Sequence, residues 1–292
     1  MPFFADKSGL PTLSFEFFPP KEASGLEHVK SQIKELAQTN PDLVTITYGA
    51  AGGTRNLSKD LVRFVAKETN LEICPHLTCA GHSKAELEKI VSDYEEMGID
   101  RILALRGDPP KGETKFTARE DGYSSARDFV RHLSNTTQMH IAVAGYPEIH
   151  KEAKSKDADL MYLKEKVDAG AQVVITQLFF DEDVYFQFVD DARKLGINVP
   201  ILPGILPISN IVQLRRFTEM CGATIPQRIQ TKLEDYVDDQ KSTIEFGIEE
   251  ASRLCSALLK GGAPGIHLYT LNKTVQILPI VKSLSGFYSA TT

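Results

Sequence analysis

Apolar positions along this chain follow two alternating rhythms. Short runs rich in aliphatic and β-branched residues recur eight times, at 13–18, 43–48, 72–78, 101–106, 140–145, 172–177, 200–205 and 265–271. Each has the length and composition of a strand buried on both faces. Between them, apolar residues return every three or four positions, the period of a helix with one buried face. The clearest helix opens at Ser83, where Glu86 completes a capping box, and runs through Leu87, Ile90, Val91, Tyr94 and Met97 to Gly98, a natural left-handed stop. A second carries Ile244, Ile248, Ala251, Leu254, Cys255 and Leu258 and stops at Gly261-Gly262. Weaker helical patterns cover 26–38, 57–69, 124–133, 157–169, 183–195 and 211–220, and a last one follows Asn272.

Strand and helix alternating eight times predict an α/β fold with a parallel sheet and right-handed crossovers. Eight such units in 292 residues close most naturally into a TIM (β/α)8 barrel, with an open doubly wound sheet as the alternative. No linker or low-complexity tract divides the sequence, so a single domain over 1–292 is expected. Its one insertion is 222–240, where Ile225, Ile229, Leu233 and Tyr236 predict a short amphipathic helix.

Bulk properties narrow the class without naming a chemistry. A hydrophobic share of 42% and a charged share of 25% are those of a folded globular chain rather than a disordered one. A net charge of -6 argues against a nucleic-acid partner. No apolar run reaches bilayer length, and the start of the chain lacks the pattern of a secretory signal, so no membrane association is expected. Cys74, Cys79, Cys221 and Cys255 show no CxxC spacing, which fits a reducing cytoplasm.

Chemistry is expected where the strands end, because the mouth of such a barrel carries the active site. The strand ends supply Glu16, Thr47, His76, Arg106 with Asp108, Tyr146, Gln177 and Asn272. A ring of polar groups costs more to build than an apolar mouth, which points to function. In Leu13-Ser14-Phe15-Glu16-Phe17-Phe18-Pro19-Pro20, a carboxylate sits among aromatics at a strand that the prolines must end. Burial there favours the protonated acid, as a proton donor needs; the competing reading is an ion pair with a buried Arg or Lys. Arg106-Gly107-Asp108-Pro109-Pro110 is the second dense patch, readable as ligand contacts or as a local ion pair. The stretch 49–54 (GAAGGT) lacks both the P-loop ending and the dinucleotide spacing. Cys74, His76 and Cys79 have no companion cluster at zinc spacing, so no metal is expected. Asp159, Tyr162 and Lys166 share a helix face, for which solvated ion pairing is the ordinary reading. No strand carries an inward lysine for Schiff-base chemistry.

The motifs LSFEFFPPK, TITYGA, PHLTC, LALRGDPP, VAGYPEIH, LKEKVDAGA, ITQLFFD, PGILPISN and HLYTLNK occur in that order. Together they resemble the methylenetetrahydrofolate reductase family from about Leu13 to Lys273. The resemblance implies a cytoplasmic flavoprotein barrel, assembled as a homo-oligomer, that reduces 5,10-methylenetetrahydrofolate to 5-methyltetrahydrofolate. NADH or NADPH would be the donor, through FAD in a ping-pong cycle. The length resembles the short bacterial-type form, without a regulatory domain that binds S-adenosylmethionine.

By this resemblance Glu16 is the general acid, and Asp108 lies near the flavin pyrimidine and bonds the pterin. Flavin contacts would fall on Thr47, Tyr48, Ala50, His76, Arg106, Gly107, Tyr123 and Ser124. Further ones would be Tyr146, His150, Ala153, Asp159, Tyr162 and Lys166, which moves the Asp159 face from solvent to cofactor. Gln177 would touch the pterin, and Gln213 and Phe217 would line the site that folate and nicotinamide share. Two positions depart from the family pattern: Lys273 stands where the motif has arginine, and Leu178 where some relatives have an aromatic. A different FAD-dependent barrel of proline-dehydrogenase type, or a non-catalytic carrier, would share the scaffold but not the pairing of Glu16 with Asp108.

Overall fold

The computed structural model describes residues 3–4, 9–49, 53–108 and 116–288. Strand and helix alternate as the pattern predicts. The first half runs β1 (Thr12–Phe17), α1 (Leu26–Ala37), β2 (Leu43–Ile46), α2 (Gly53–Glu68), β3 (Ile73–Thr78), α3 (Lys84–Glu96), β4 (Arg101–Leu105) and α4 (Ala126–Thr136). It continues with β5 (His140–Gly145), α5 (Lys156–Asp168), β6 (Val173–Thr176), α6 (Glu182–Lys194), β7 (Ile201–Leu202) and β8 (Gly204–Ile205). The chain then enters α7 (Ile211–Cys221), α8 (Gln227–Asp235), α9 (Gln240–Lys260), β9 (Gly265–Tyr269), α10 (Thr274–Ser283) and α11 (Ser285–Tyr288).

Among the described residues, nine strands share one sheet in the order β7-β6-β5-β4-β3-β2-β1-β9-β8. The registers of β2 with β3, β3 with β4, β4 with β5 and β8 with β9 are parallel. This order overturns the doubly wound alternative. Such a sheet reverses direction at a switch point, whereas here every step moves to the sequence neighbour except β1–β9, which brings the first strand beside the last. The two end positions, β7 and β8, are separated in sequence by Pro203 alone. The fold is therefore α/β of the TIM (β/α)8 type.

Several boundaries differ from the sequence pattern for identifiable reasons. The seventh run is cut in two, because Pro203 has no N–H to give the ladder; its carbonyl accepts from His267 N instead, at 3.0 Å. Several strands stop one or two residues early, so Thr47, Tyr48, Arg106 and Gln177 lie just beyond the ladder. Helix α2 starts four residues before the apolar period does, since Gly53 and Thr54 form its first turn.

Two compact units can be described. One is built on Glu16–Ala144 and Glu165–Val174; its core includes Phe17, Ile33, Leu36, Ile46, Leu61, Leu77, Leu87, Ile102 and Phe129, all essentially buried. Its α3 begins with the capping box, in which Glu86 N donates to Ser83 Oγ at 3.1 Å and Ser83 N to Glu86 Oε2 at 2.7 Å. The other unit is built on Gly145–Lys164 and the chain from Ile175, together with β1 as far as Phe15. Leu178, Phe180, Leu206, Ile208, Leu214, Ile229 and Leu233 form one of its clusters. Through Ile229 and Leu233, α8 seats the stretch 222–240 on that cluster.

Candidate functional site

In the first unit, the chemistry centres on Glu16 near the end of β1. All six residues of this strand are buried, and Glu16 is 6% exposed between fully buried Phe15 and Phe17. Its Oε1 accepts from Thr47 Oγ1 at 3.2 Å, and its Oε2 lies 3.4 Å from His76 Nε2. Thr47 is fixed from both sides: its N–H donates to Phe17 O at 2.9 Å, and its carbonyl accepts from Ser58 Oγ at 2.8 Å. The acid, the hydroxyl and the imidazole thus come from the ends or exits of three adjacent strands. Among the described contacts of Glu16 are a threonine from the exit of β2 and a histidine from β3.

Next to Thr47, Tyr48 forms a second arrangement. Its hydroxyl meets His82 Nε2 at 2.8 Å, and the Arg55 guanidinium lies over its ring, 5.7 Å from the centroid. Burial pushes the phenol above its ordinary pKa, and burial followed by Arg55 pushes the imidazole below its own. Both shifts favour the neutral forms of a tyrosine and a histidine joined by one hydrogen bond, and the other ring nitrogen, Nδ1, faces Glu86 Oε2 at 3.9 Å. No motif or spacing in the chain marks His82 or Arg55 as site residues. His82 is 34 residues from its partner, and inside the capping segment it reads as an ordinary helix-entry residue.

Beyond β4, Arg106 Nε donates to Gly107 O at 3.1 Å, and its guanidinium lies 5.0 Å from the centroid of Phe116. Gly107 has φ +91, and an added Cβ would stand 2.9 Å from both Ala80 Cβ and Thr78 Cβ. Only glycine supplies that turn without strain. Gly107→Ala is expected to lower stability by about 1–3 kcal/mol, through positive φ and overpacking together, as a urea titration would measure. Asp108 is exposed at the end of this turn. Ala50, Pro109 and Pro110 lie outside the described residues.

Tyr123 and Ser124 build the entry to α4. The Tyr123 ring packs on Phe129 and His132 at 5.6 and 5.3 Å, and burial pushes its phenol up to about 12. Ser124 Oγ donates to Asp128 Oδ2 at 3.1 Å. Neither side chain is held against Glu16 by any of these bonds. Burial also holds the Cys79 thiol protonated, raising it to about 11, and raises Cys74 further. The sulfurs at the Cys74–His76–Cys79 stretch are therefore packed thiols rather than thiolates.

Lys166 corrects the solvated-face reading of its helix. It is 5% exposed, and its ammonium donates to Ala144 O at 2.6 Å. A buried amine bonded to a strand-end carbonyl is a built-in donor, not a surface counterion.

In the second unit, β5 leaves Gly145 into a corner held by Tyr146 and His150, whose rings meet edge to face at 4.6 Å. Asp159 Oδ2 accepts from His150 N at 2.8 Å, so this carboxylate also serves the corner rather than the solvent. Glu152 N donates to His150 Nδ1 at 3.1 Å, which leaves the proton of the neutral ring on Nε2. Ala153 N closes the turn on His150 O at 2.9 Å, and Tyr162 is half-buried one turn along α5 from Asp159.

The substrate-side residues of this unit are placed less uniformly. Gln177 Oε1 accepts from Leu178 N at 2.9 Å, so its amide is folded back on its own chain. Gln213 sits in the first turn of α7, where Asn210 caps its N–H at 2.8 Å and Ser209 Oγ approaches its Oε1 at 3.4 Å. Phe217, one turn on, packs against the cluster that contains Leu178. Lys273 is exposed at the N-cap of α10, after two left-handed residues, Leu271 (φ 48) and Asn272 (φ 56). A cation at that helix end opposes the dipole, so an anionic ligand there would complement both.

Comparison with known proteins supplies what geometry alone does not. A family model described as methylenetetrahydrofolate reductase matches residues 4–285. A 5,10-methylenetetrahydrofolate reductase of Pectobacterium carotovorum is 40% identical over 92% of this chain and 88% of its own length. The Escherichia coli protein of the same name is 39% identical over 96% and 93%. An Arabidopsis thaliana relative, methylenetetrahydrofolate reductase (NADH) 1, is 37% identical over 95% of this chain but 49% of its own length, so the chain spans about half of that protein. Among solved structures, an uncharacterized protein from Clostridium thermocellum, described as binding two copies of 5-methyl-5,6,7,8-tetrahydrofolic acid, aligns with a TM-score of 0.65. It covers 96% of either chain at 14% identity, a likeness of fold alone. With the family model spanning nearly every described element, and bacterial relatives near 40% identity over most of both chains, this chain belongs to the methylenetetrahydrofolate reductase family.

Proposed function

We propose that this chain reduces 5,10-methylenetetrahydrofolate to 5-methyltetrahydrofolate, with a nicotinamide donor and FAD alternating between two half-reactions. The observation that carries the reading is the buried Glu16, bonded by Thr47 and with His76 Nε2 3.4 Å from its other oxygen, in a chain of this family. The residues present suit a flavin dinucleotide. Arg106 and buried Lys166 offer basic groups for a diphosphate, and Thr47 offers a hydroxyl beside Glu16. In the second unit, the His150 Nε2–H and the Tyr146 ring offer a donor and an apolar face. When bound, FAD would take hydride from the nicotinamide and return it to the one-carbon unit.

The protein's own work is on the folate. Its one-carbon unit is locked in a ring between two nitrogens, and it accepts hydride only after one of them is protonated and released. Glu16 supplies that proton, with Thr47 fixing the direction of its carboxyl. The cation left on the opened folate is stabilised by the Asp108 carboxylate. Lys273, at the start of α10, meets the carboxylate tail as a point charge; it lacks the forked grip an arginine would give.

Purified protein should be yellow, with the spectrum of an oxidised flavin. Anaerobic addition of NADH, the donor in the names of the plant relatives, should bleach it, and methylenetetrahydrofolate should restore the colour with one equivalent of methyl product. Bleaching by proline and not by either nicotinamide would replace this reading with the amino-acid oxidising alternative.

A further inference from the structure

The corner after β5 is tied to a distant part of its own unit by one side chain that the proposed mechanism does not use. Both carboxylate oxygens of Glu148 lie 3.0 Å from the backbone N of Thr224, which is 76 residues away and just past the end of α7. Gly222, the left-handed C-cap of α7 at φ 81, lies between these elements. A Cβ there would come within 3.6 Å of Lys151 Cγ and 3.9 Å of Ile149 O. Residues 148–151 therefore rest as a group on the C-terminal end of α7.

Two features set this contact apart from ordinary packing. A carboxylate at a helix C-terminus faces the negative end of the dipole, the placement that helix stability alone selects against. The adjoining Ile149 has φ 94, a region that β-branched residues rarely occupy. Such backbone persists only where the surroundings over-determine it. Here the restraints are the Glu148 bond to Thr224 on one side and the His150 N–H bond to Asp159, at 2.8 Å, on the other.

We propose that Glu148 is a positioning residue: clasped on the Thr224 amide, it sets the register of α7, with Gln213 and Phe217, against the Tyr146–His150 corner. This rests on the functional reading above, with Gln213 and Phe217 at the site that folate and nicotinamide share and Tyr146 and His150 at the cofactor. Losing the clasp loosens the folate side first, because α7 is tethered through it, while the corner keeps its own bond to Asp159.

The test uses the full chain carrying Glu148→Ala or Glu148→Gln. Hydrogen exchange at the Thr224 amide, which requires no cofactor, should accelerate about tenfold or more in Glu148→Ala, as expected for a lost charge-assisted bond. The folate KM should rise about fivefold and the NADH concentration for half-maximal bleaching should rise with it, because Gln213 and Phe217 serve both substrates, while affinity for FAD, on the corner's side, stays within about twofold. Glu148→Gln, which keeps an acceptor oxygen, should recover most of both effects. Unchanged exchange at Thr224, a loss of FAD affinity as large as the rise in folate KM, or a glutamine no better than alanine would each overturn the proposal. If the alanine variant does not fold, the glutamine variant alone must show a smaller change of the same sign in exchange and KM, and its absence is equally decisive. A protein that never takes up FAD sinks the functional reading, whereas the exchange rate still decides whether the clasp exists.

Discussion

Glu16→Gln is expected to abolish folate reduction while leaving the nicotinamide half-reaction intact. Glutamine has the shape of the acid, and its carbonyl oxygen can still accept from Thr47 Oγ1, the bond that measures 3.2 Å in the parent. What it lacks is a proton to release. Positioned general acids contribute roughly 10²–10⁴-fold, so turnover with methylenetetrahydrofolate should fall by about that factor, with the loss in kcat rather than KM. Bleaching by NADH needs no proton from this side chain and should stay within about twofold of the parent. Stopped-flow absorbance separates the two steps in one preparation. Alanine is the poorer probe, because truncation would leave a void beside Phe15 and Phe17 and strip His76 of its neighbour. Should the glutamine variant bleach slowly but then reduce folate normally, the acid would have to be sought elsewhere.

Much of this arrangement could be read before any coordinates. The alternating periods located most strands and helices to within a few residues, though not the short α11, because buried strands and one-faced helices impose different spacings on the same apolar alphabet. The capping box at Ser83 was legible for a local reason, both partners lying within one turn. Pro203 was legible in principle too, since a residue without an N–H cannot sit inside a ladder, yet the apolar run around it hid the break. Long-range pairs were not legible. Nothing in the sequence joins Tyr48 to His82, Glu16 to His76 or Glu148 to Thr224, because each depends on which strand exits the fold brings side by side. The Asp159–Lys166 face shows the same limit from the other direction. Its i, i+7 spacing suits a solvated ion-paired surface equally well, and only the backbone groups of His150 and Ala144 decide against it.

The second large effect is expected far from any reacting atom, at Gly247. This glycine lies inside α9, where helix propensity alone favours alanine by about 1 kcal/mol. Close approach reverses the sign. A Cβ on residue 247 would stand 1.8 Å from Ile208 O and 2.8 Å from Ile208 C, both backbone atoms with little room to yield. The same carbonyl is held from the other side by buried Gln276, whose Nε2 donates to it at 2.8 Å. Gly247→Ala must therefore push α9 away or displace the 206–209 loop. Overpacking of this kind costs about 3 kcal/mol or more, which in a chain of this size lowers the melting temperature by roughly 5–10 °C. A thermal melt of the flavin-loaded protein measures it, and a rise in melting temperature would mean that propensity, not contact, governs the position. The displacement also has a direction. Gln240 of α9 bonds to Ser209 O, and the next residue, Asn210, caps α7 through Gln213 N at 2.8 Å. A shifted loop carries the start of α7 with it, so the folate KM should rise in the same variant even though residue 247 touches no ligand.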